Sequence, residues 1–214
     1  MENMKGFISA ILISASLLSG FFCKKTTDSD LDWTSQMLVS SFYTDNANGT
    51  ITDKNTRLTW MKCSSGQVWN SALNTCAGTG GGTTYGAKSY NYCDATTTGA
   101  KVYSACAIPD ALNPVATSGP VYAACAGEAT AGGGWRVPTK QELAVLTTTT
   151  DRKTFLFAFP QTPDDKYFWT VSSVQKSDDT DGVKAWGVHF SANNFGTTEK
   201  LHKSDTVAYL RCVR

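Results

Sequence analysis

The chain is poorest in the residue that most catalytic and metal sites need. It holds two histidines, His189 and His202, in 214 residues. His189 lies in the alternating run Trp186-Gly-Val-His-Phe190, where it reads as a residue of a sheet face rather than a base. No Ser/His/Asp or Cys/His constellation can be assembled, so no catalytic residue, metal ligand or cofactor is expected, and the enzyme class is set aside. Charge bias is lacking too. Nineteen Lys and Arg against eighteen Asp and Glu leave a net charge of +1, so no global field favours nucleic acid, and charge-driven binding would need a local patch. The seven cysteines show no CxxC spacing, which points away from zinc and towards disulfides in an oxidising compartment. The acidic run Asp178, Asp179, Asp181 beside Gly182 reads as a solvated loop. The glycine triplet 132–134 is followed by Trp-Arg-Val-Pro instead of Gly-Lys-Ser/Thr, which excludes a phosphate loop.

A membrane-spanning run is also missing. Phe7 to Phe22 is almost wholly apolar or small, but it falls short of the roughly 20 residues that cross a bilayer. With Lys5 before it and Cys23-Lys24-Lys25 after it, it reads as an export signal over residues 1–22. The stretch LLSGFFC resembles a bacterial lipobox, in which small residues precede a cysteine that is cleaved and acylated. Phe21 and Phe22 make it a relaxed version, of the kind best known from spirochaetes. Cysteine arithmetic gives independent support. Of residues 23, 63, 76, 93, 106, 125 and 212, one is left over if the rest pair, and Cys23 is the natural odd one. Lipidation at Cys23 is the preferred reading, beside cleaved soluble export and an uncleaved signal anchor.

Residues 23–40 mix charges and hydroxyls with few core residues and read as a tether, leaving a domain over 41–214. Asn48-Gly49 between short β-prone runs predicts a hairpin turn. The alternative, a calcium loop with Gly49 sixth, puts Thr44 and Asn55 where carboxylates are needed. From Cys63 to Gly134 the chain is rich in Gly, Thr, Ala, Ser and Asn, a composition for long loops rather than core. Cys63 with Cys76 and Cys93 with Cys106 would each staple a loop of about twelve residues, worth roughly 3 kcal/mol in the chain-entropy model. Gly119-Pro120 predicts a short helix start, and Thr139 with Glu142 has the capping-box spacing of a second. The threonines after Leu146 predict that this helix stops there. Three alternating stretches, 167–173, 184–190 and 206–214, predict an antiparallel sheet.

Taken in order, the hairpin DNANGTITDKNTRLTW ending at Trp60, then GGGWRVPTKQEL, YFWTVSS, AWGVHF and YLRCVR resemble the Lcl C-terminal domain family, named for the end domain of Legionella collagen-like protein. The residues that carry the likeness are Trp60, Trp135, Arg136, Pro138, Thr139, Glu142, Trp169, Trp186 and Arg211. Arg57 stands where the family usually has glycine. WRVPTKQEL is also similar to an element of formylglycine-generating enzymes and other C-type-lectin-like domains. The resemblance implies an α+β fold, C-type-lectin-like and compact, with a twisted antiparallel sheet, one or two short helices and long disulfide-stapled loops. It also implies that Cys125 pairs with Cys212, one of fifteen connectivities open to six cysteines.

Neither the Glu-Pro-Asn and Trp-Asn-Asp calcium motifs of C-type lectins nor the copper-binding cysteine pair of the formylglycine enzymes is present. The name-giving family member binds sulfated glycosaminoglycans. The expectation is therefore a non-enzymatic binding module on an exported lipoprotein of the envelope, outer membrane or cell surface. It would be anchored to the membrane by its lipid and would adhere to extracellular matrix or glycosaminoglycan, with no role for nucleic acid. The alternative expectation is an envelope structural or assembly protein that contacts other bacterial proteins.

Overall fold

The computed structural model describes residues 36–92, 119–175, 177–178, 183–203 and 206–214. The export signal, Cys23, the Cys93–Cys106 pair, Asp179 and Asp181 lie outside them. Residues 36–42 are helical and place Val39 and Phe42 against the core.

β1 (Tyr43–Asp45), β2 (Thr50–Asp53) and β3 (Thr59–Met61) form an antiparallel sheet in that order. The β1–β2 turn is the one expected, but the positive φ angles fall on Ala47 (59°) and Gly49 (83°) rather than on Asn48 and Gly49. Asn48 serves instead as an acceptor, its Oδ1 taking the Thr50 N–H and hydroxyl at 3.2 and 2.6 Å. A side chain at Gly49 would also meet the Trp69 Cβ at 3.0 Å. Arg57 adopts φ 62°, the left-handed conformation that suits the glycine usual in the family.

The stretch expected to be loop contains a hairpin, β4 (Gln67–Asn70) with β5 (Thr75–Gly78), inside the Cys63–Cys76 disulfide. Then come β6 (Tyr90–Asn91) and α1 (Pro120–Ala126). Composition hid the hairpin because its outward face is small and polar. Gln67, Trp69 and Cys76 point inward, the last two as a cross-strand pair.

α2 (Lys140–Thr148) carries the full capping box. The Thr139 hydroxyl accepts from the Glu142 amide at 3.2 Å, and Glu142 Oε2 accepts from the Thr139 amide at 2.8 Å. The helix runs two residues past Leu146. The hydroxyls of Thr147, Thr148, Thr149 and Thr150 donate back to the carbonyls of Ala144, Val145 and Leu146, the back-bonding open to threonine within a helical turn. α3 (Arg152–Ala158), capped by Asp151, was not expected and buries Phe155 and Ala158. The helices thus exceed the one or two foreseen.

β7 (Tyr167–Ser173), β8 (Lys184–His189) and β9 (Thr198–His202) form a second antiparallel sheet. β7 and β8 match the sequence reading. β9 escaped it because TEKLH buries only Leu201, the habit of an edge strand. The fold is α+β, with four small sheets among the described residues in place of one twisted sheet.

Segment 206–214 alternates as expected, yet only β10 (Val207–Ala208) is regular strand, paired with β6. Beyond it the backbone bonds in turn to Tyr167 and Trp169, to Ser65, to Met61 and Thr59, and to Arg136. The ribbon divides two apolar clusters. Ala208, Leu210 and Cys212 enter one with Met61, Trp135 and Trp169, whereas Tyr209 and Val213 enter the other with Trp60, Phe155 and Phe168. Cys212 is bonded to Cys125, as the family resemblance implied; closing a loop of 87 residues removes about 4.5 kcal/mol of unfolded-state entropy.

Arg211 is wholly buried on the second side, 4.5 Å from the centre of the Phe159 ring. Its guanidinium donates to the carbonyls of Met61 (3.0 Å) and Lys62 and to the hydroxyls of Ser64 (3.3 Å) and Thr162 (2.6 Å). Burial pushes its pKa down to about 9, which still leaves it charged at neutral pH. Replacing Arg211 with alanine strands those four acceptors and opens a cavity, so it should cost at least about 3 kcal/mol in urea unfolding. A loss below about 1 kcal/mol would show that the network carries little stability.

Candidate functional site

The sheet β7–β8–β9 has two faces. Tyr167, Trp169, Ala185, Gly187, His189 and Leu201 share one by register. His189 is satisfied there: its Nδ1 accepts from the Ser191 amide at 3.1 Å, its ring meets Tyr167 edge-on at 4.6 Å, and burial holds its pKa below the usual value. It is a sheet-face residue.

The opposite face carries Phe168 and Val188 under Leu143 and Leu146 of α2. It ends at Trp186, which is half-buried and paired across β8 and β9 with Lys200. Because Thr139 caps α2 and the Lys140 amide donates to Ser172 Oγ at 3.0 Å, the first helical residue is fixed above this end of the sheet. Lys140 Nζ then lies 3.2 Å from the centre of the Trp186 ring, with Lys200 Nζ at 5.7 Å from the same ring. Burial and the charge of Lys200 both lower the Lys140 pKa. Two ammonium groups thus approach one indole, and Asp178 pairs with Lys200 at 3.2 Å. Lys184 and His202, opposite each other in the register, extend the basic row on the same face. An arrangement of cations beside a half-buried aromatic can hold an anion at its edge.

The remaining motif residues build the frame. Trp60 and Trp169 are buried, and the Trp169 indole N–H donates to Tyr90 O at 2.8 Å. Trp135 is buried, donates to Thr130 O at 2.7 Å, and lies under Arg214, 4.5 Å from the ring centre. The Pro138 carbonyl accepts from Val171 at 2.7 Å, which docks the corner on β7. Arg136 grips Glu142 with two bonds of 2.8 and 2.7 Å. Among the described residues no group of His, Cys, Asp and Glu could hold a metal ion. Sequence reasoning marked Trp186 but missed Lys140 and Lys200, whose signals are the start of α2 and the β9 register.

Burial alone would raise the Glu142 pKa, but the Arg136 and Thr139 bonds outweigh it and hold the carboxyl below its ordinary value. The unfolded chain takes up that proton first as the pH falls through about 4 to 5, so the stabilisation is present above that range and is lost below it. Glu142→Gln keeps the capping spacing but removes the charge that Arg136 grips, so it should lower stability by about 0.5 to 1 kcal/mol at neutral pH and flatten the acid limb of a stability–pH curve. An acid limb parallel to wild type would show that Glu142 contributes none of it.

The family model described as Lcl C-terminal domain matches residues 49–214. No curated protein and no solved structure matches the chain.

Proposed function

Because the chain belongs to the Lcl C-terminal domain family, we propose that it is a binding module without enzymatic activity, carried by an exported lipoprotein of the cell envelope or surface and used for adhesion to host matrix or sulfated glycans. The observation that carries this reading is the pair of ammonium groups over Trp186. Their mutual repulsion is relieved by an anionic ligand such as the sulfate group of a sulfated sugar. The patch is local, as a chain of net charge +1 requires. Lipid anchorage rests on the relaxed lipobox ending at Cys23 and on the cysteine count. The C-type-lectin-like kinship of the body rests on the motif from Trp135 to Leu143.

Binding of the oxidised protein to immobilised heparin should weaken steeply with salt, because exposed charges are screened. Lys140→Ala with Lys200→Ala should reduce affinity by about tenfold, a loss of about 1.4 kcal/mol, and make the salt dependence shallower. Unchanged affinity in a folded double variant would sink the assignment of this face. In bacteria fed a fatty-acid analogue, label should enter the protein and vanish with Cys23→Ala; a labelled Cys23→Ala protein would place the lipid elsewhere.

A further inference from the structure

Asn48 is the one asparagine in the chain that precedes a glycine. It stands exposed in the β1–β2 turn, between Ala47 and Gly49, both at positive φ. That pair of residues has a chemistry of its own. Only the Asn48 main-chain carbonyl, Cα and Cβ separate the Gly49 nitrogen from the carboxamide carbon Cγ, so attack of that nitrogen on Cγ closes a succinimide ring. Glycine presents the nitrogen with no side chain to obstruct the approach.

What the fold adds is at Oδ1. The Thr50 N–H and hydroxyl both donate to it, at 3.2 and 2.6 Å. Thr50 is wholly buried at the start of β2, opposite Met61, and its hydroxyl also accepts from Asn46 Nδ2 at 2.9 Å. When the nitrogen adds to Cγ, the carbonyl electrons move onto Oδ1. Two donors already aimed at that oxygen stabilise the charge as it forms, the arrangement of an oxyanion hole. Asn70 is a control within the same chain. It too is exposed, and its Oδ1 accepts from the amides of Ala72 and Leu73 at 3.1 and 3.2 Å. It is followed by Ser71, however, and both of those donors are amides.

We propose that Asn48 is a self-modification site, converted to aspartyl and isoaspartyl forms by its own turn with Thr50 as the donor to Oδ1. The Gly49 nitrogen gives its proton to solvent and bonds to Asn48 Cγ, the Cγ–Nδ2 bond breaks, and Nδ2 takes up a proton and leaves as ammonia. Water, the sole co-reactant, then opens the ring. Opening at Cγ leaves aspartate. Opening at the Asn48 main-chain carbon leaves Gly49 joined through the side chain, an isoaspartate with an extra methylene in the backbone. That backbone is held on both sides: Gly49 O accepts from Lys62 N at 2.9 Å, and a Cβ at Gly49 would lie 3.0 Å from Trp69 Cβ. The site shares no residue with the basic face at Trp186.

The test incubates the oxidised full chain at neutral pH and maps its peptides by mass spectrometry over time. The mass gain of amide-to-acid conversion should appear at Asn48 ahead of Asn70 while the chain stays folded, together with an isoaspartyl product that an isoaspartyl methyltransferase labels. Thr50→Val should slow the conversion about fivefold, the rate equivalent of about 1 kcal/mol, and Thr50→Ser should keep the parent rate. Because Thr50 is buried, Thr50→Val counts only if it unfolds cooperatively in urea. Where it does not, the parent decides alone, by its conversion below and above its own urea transition. Conversion of Asn48 confined to the unfolded chain, conversion of Asn70 at the same rate, or an equal or faster rate in folded Thr50→Val would overturn the proposal.

Discussion

Arg211 imposes the strictest condition in the molecule: a guanidinium, with no carboxylate among the partners that hold it, surrounded by three phenylalanine rings. A charge in such a place is costly unless oxygen meets it; here oxygens meet both terminal nitrogens, while Nε has no hydrogen-bond partner among the described residues. The oxygens come from β3 and the turn after it, residues 61, 62 and 64, and from Thr162 beyond α3. Those segments are therefore fixed relative to the ribbon that divides the core. Thr162 is itself held, its hydroxyl also donating to Phe159 O at 2.7 Å. The Cys125–Cys212 bond, one residue along, ties α1 to the same point. The small sheets need such a centre, because none is large enough to bury a core alone.

Much of this was legible where local chemistry decides the outcome. Thr139 and Glu142 declare a helix start because their reciprocal bonds span three residues. The alternation of Tyr167 to Ser173 declares a strand because one residue in two meets each core. The sequence is silent where long-range pairing decides. β9 is polar, α3 is short, and the β4–β5 hairpin owes its order to a disulfide and to Trp69 packing by Gly49. Segment 206–214 reads as one strand of a sheet, and its six residues from Ala208 to Val213 are indeed buried. Its hydrogen bonds go to several different segments in succession, which no periodicity encodes.

The same division holds for the candidate sites. Motif residues identified the frame, and Trp186 alone among the marked tryptophans is half-exposed. The lysines that make Trp186 chemically interesting come from a helix start 46 positions earlier and an edge strand 14 positions later. Composition could exclude a global field, but it could not reveal that two ammonium groups converge on one ring.

The ribbon of residues 208–213 also sets the order of assembly. Both apolar clusters use it as a wall, and its partners lie as far back as Thr59. Neither cluster can close while the ribosome still holds that segment, so more than a hundred residues emerge with their aromatic side chains uncovered. Contacts of such sequence separation fold slowly, and a slow chain with open apolar surface is prone to clump. Completion of both clusters thus waits on one short stretch of polypeptide that follows nearly all of its partners in the sequence.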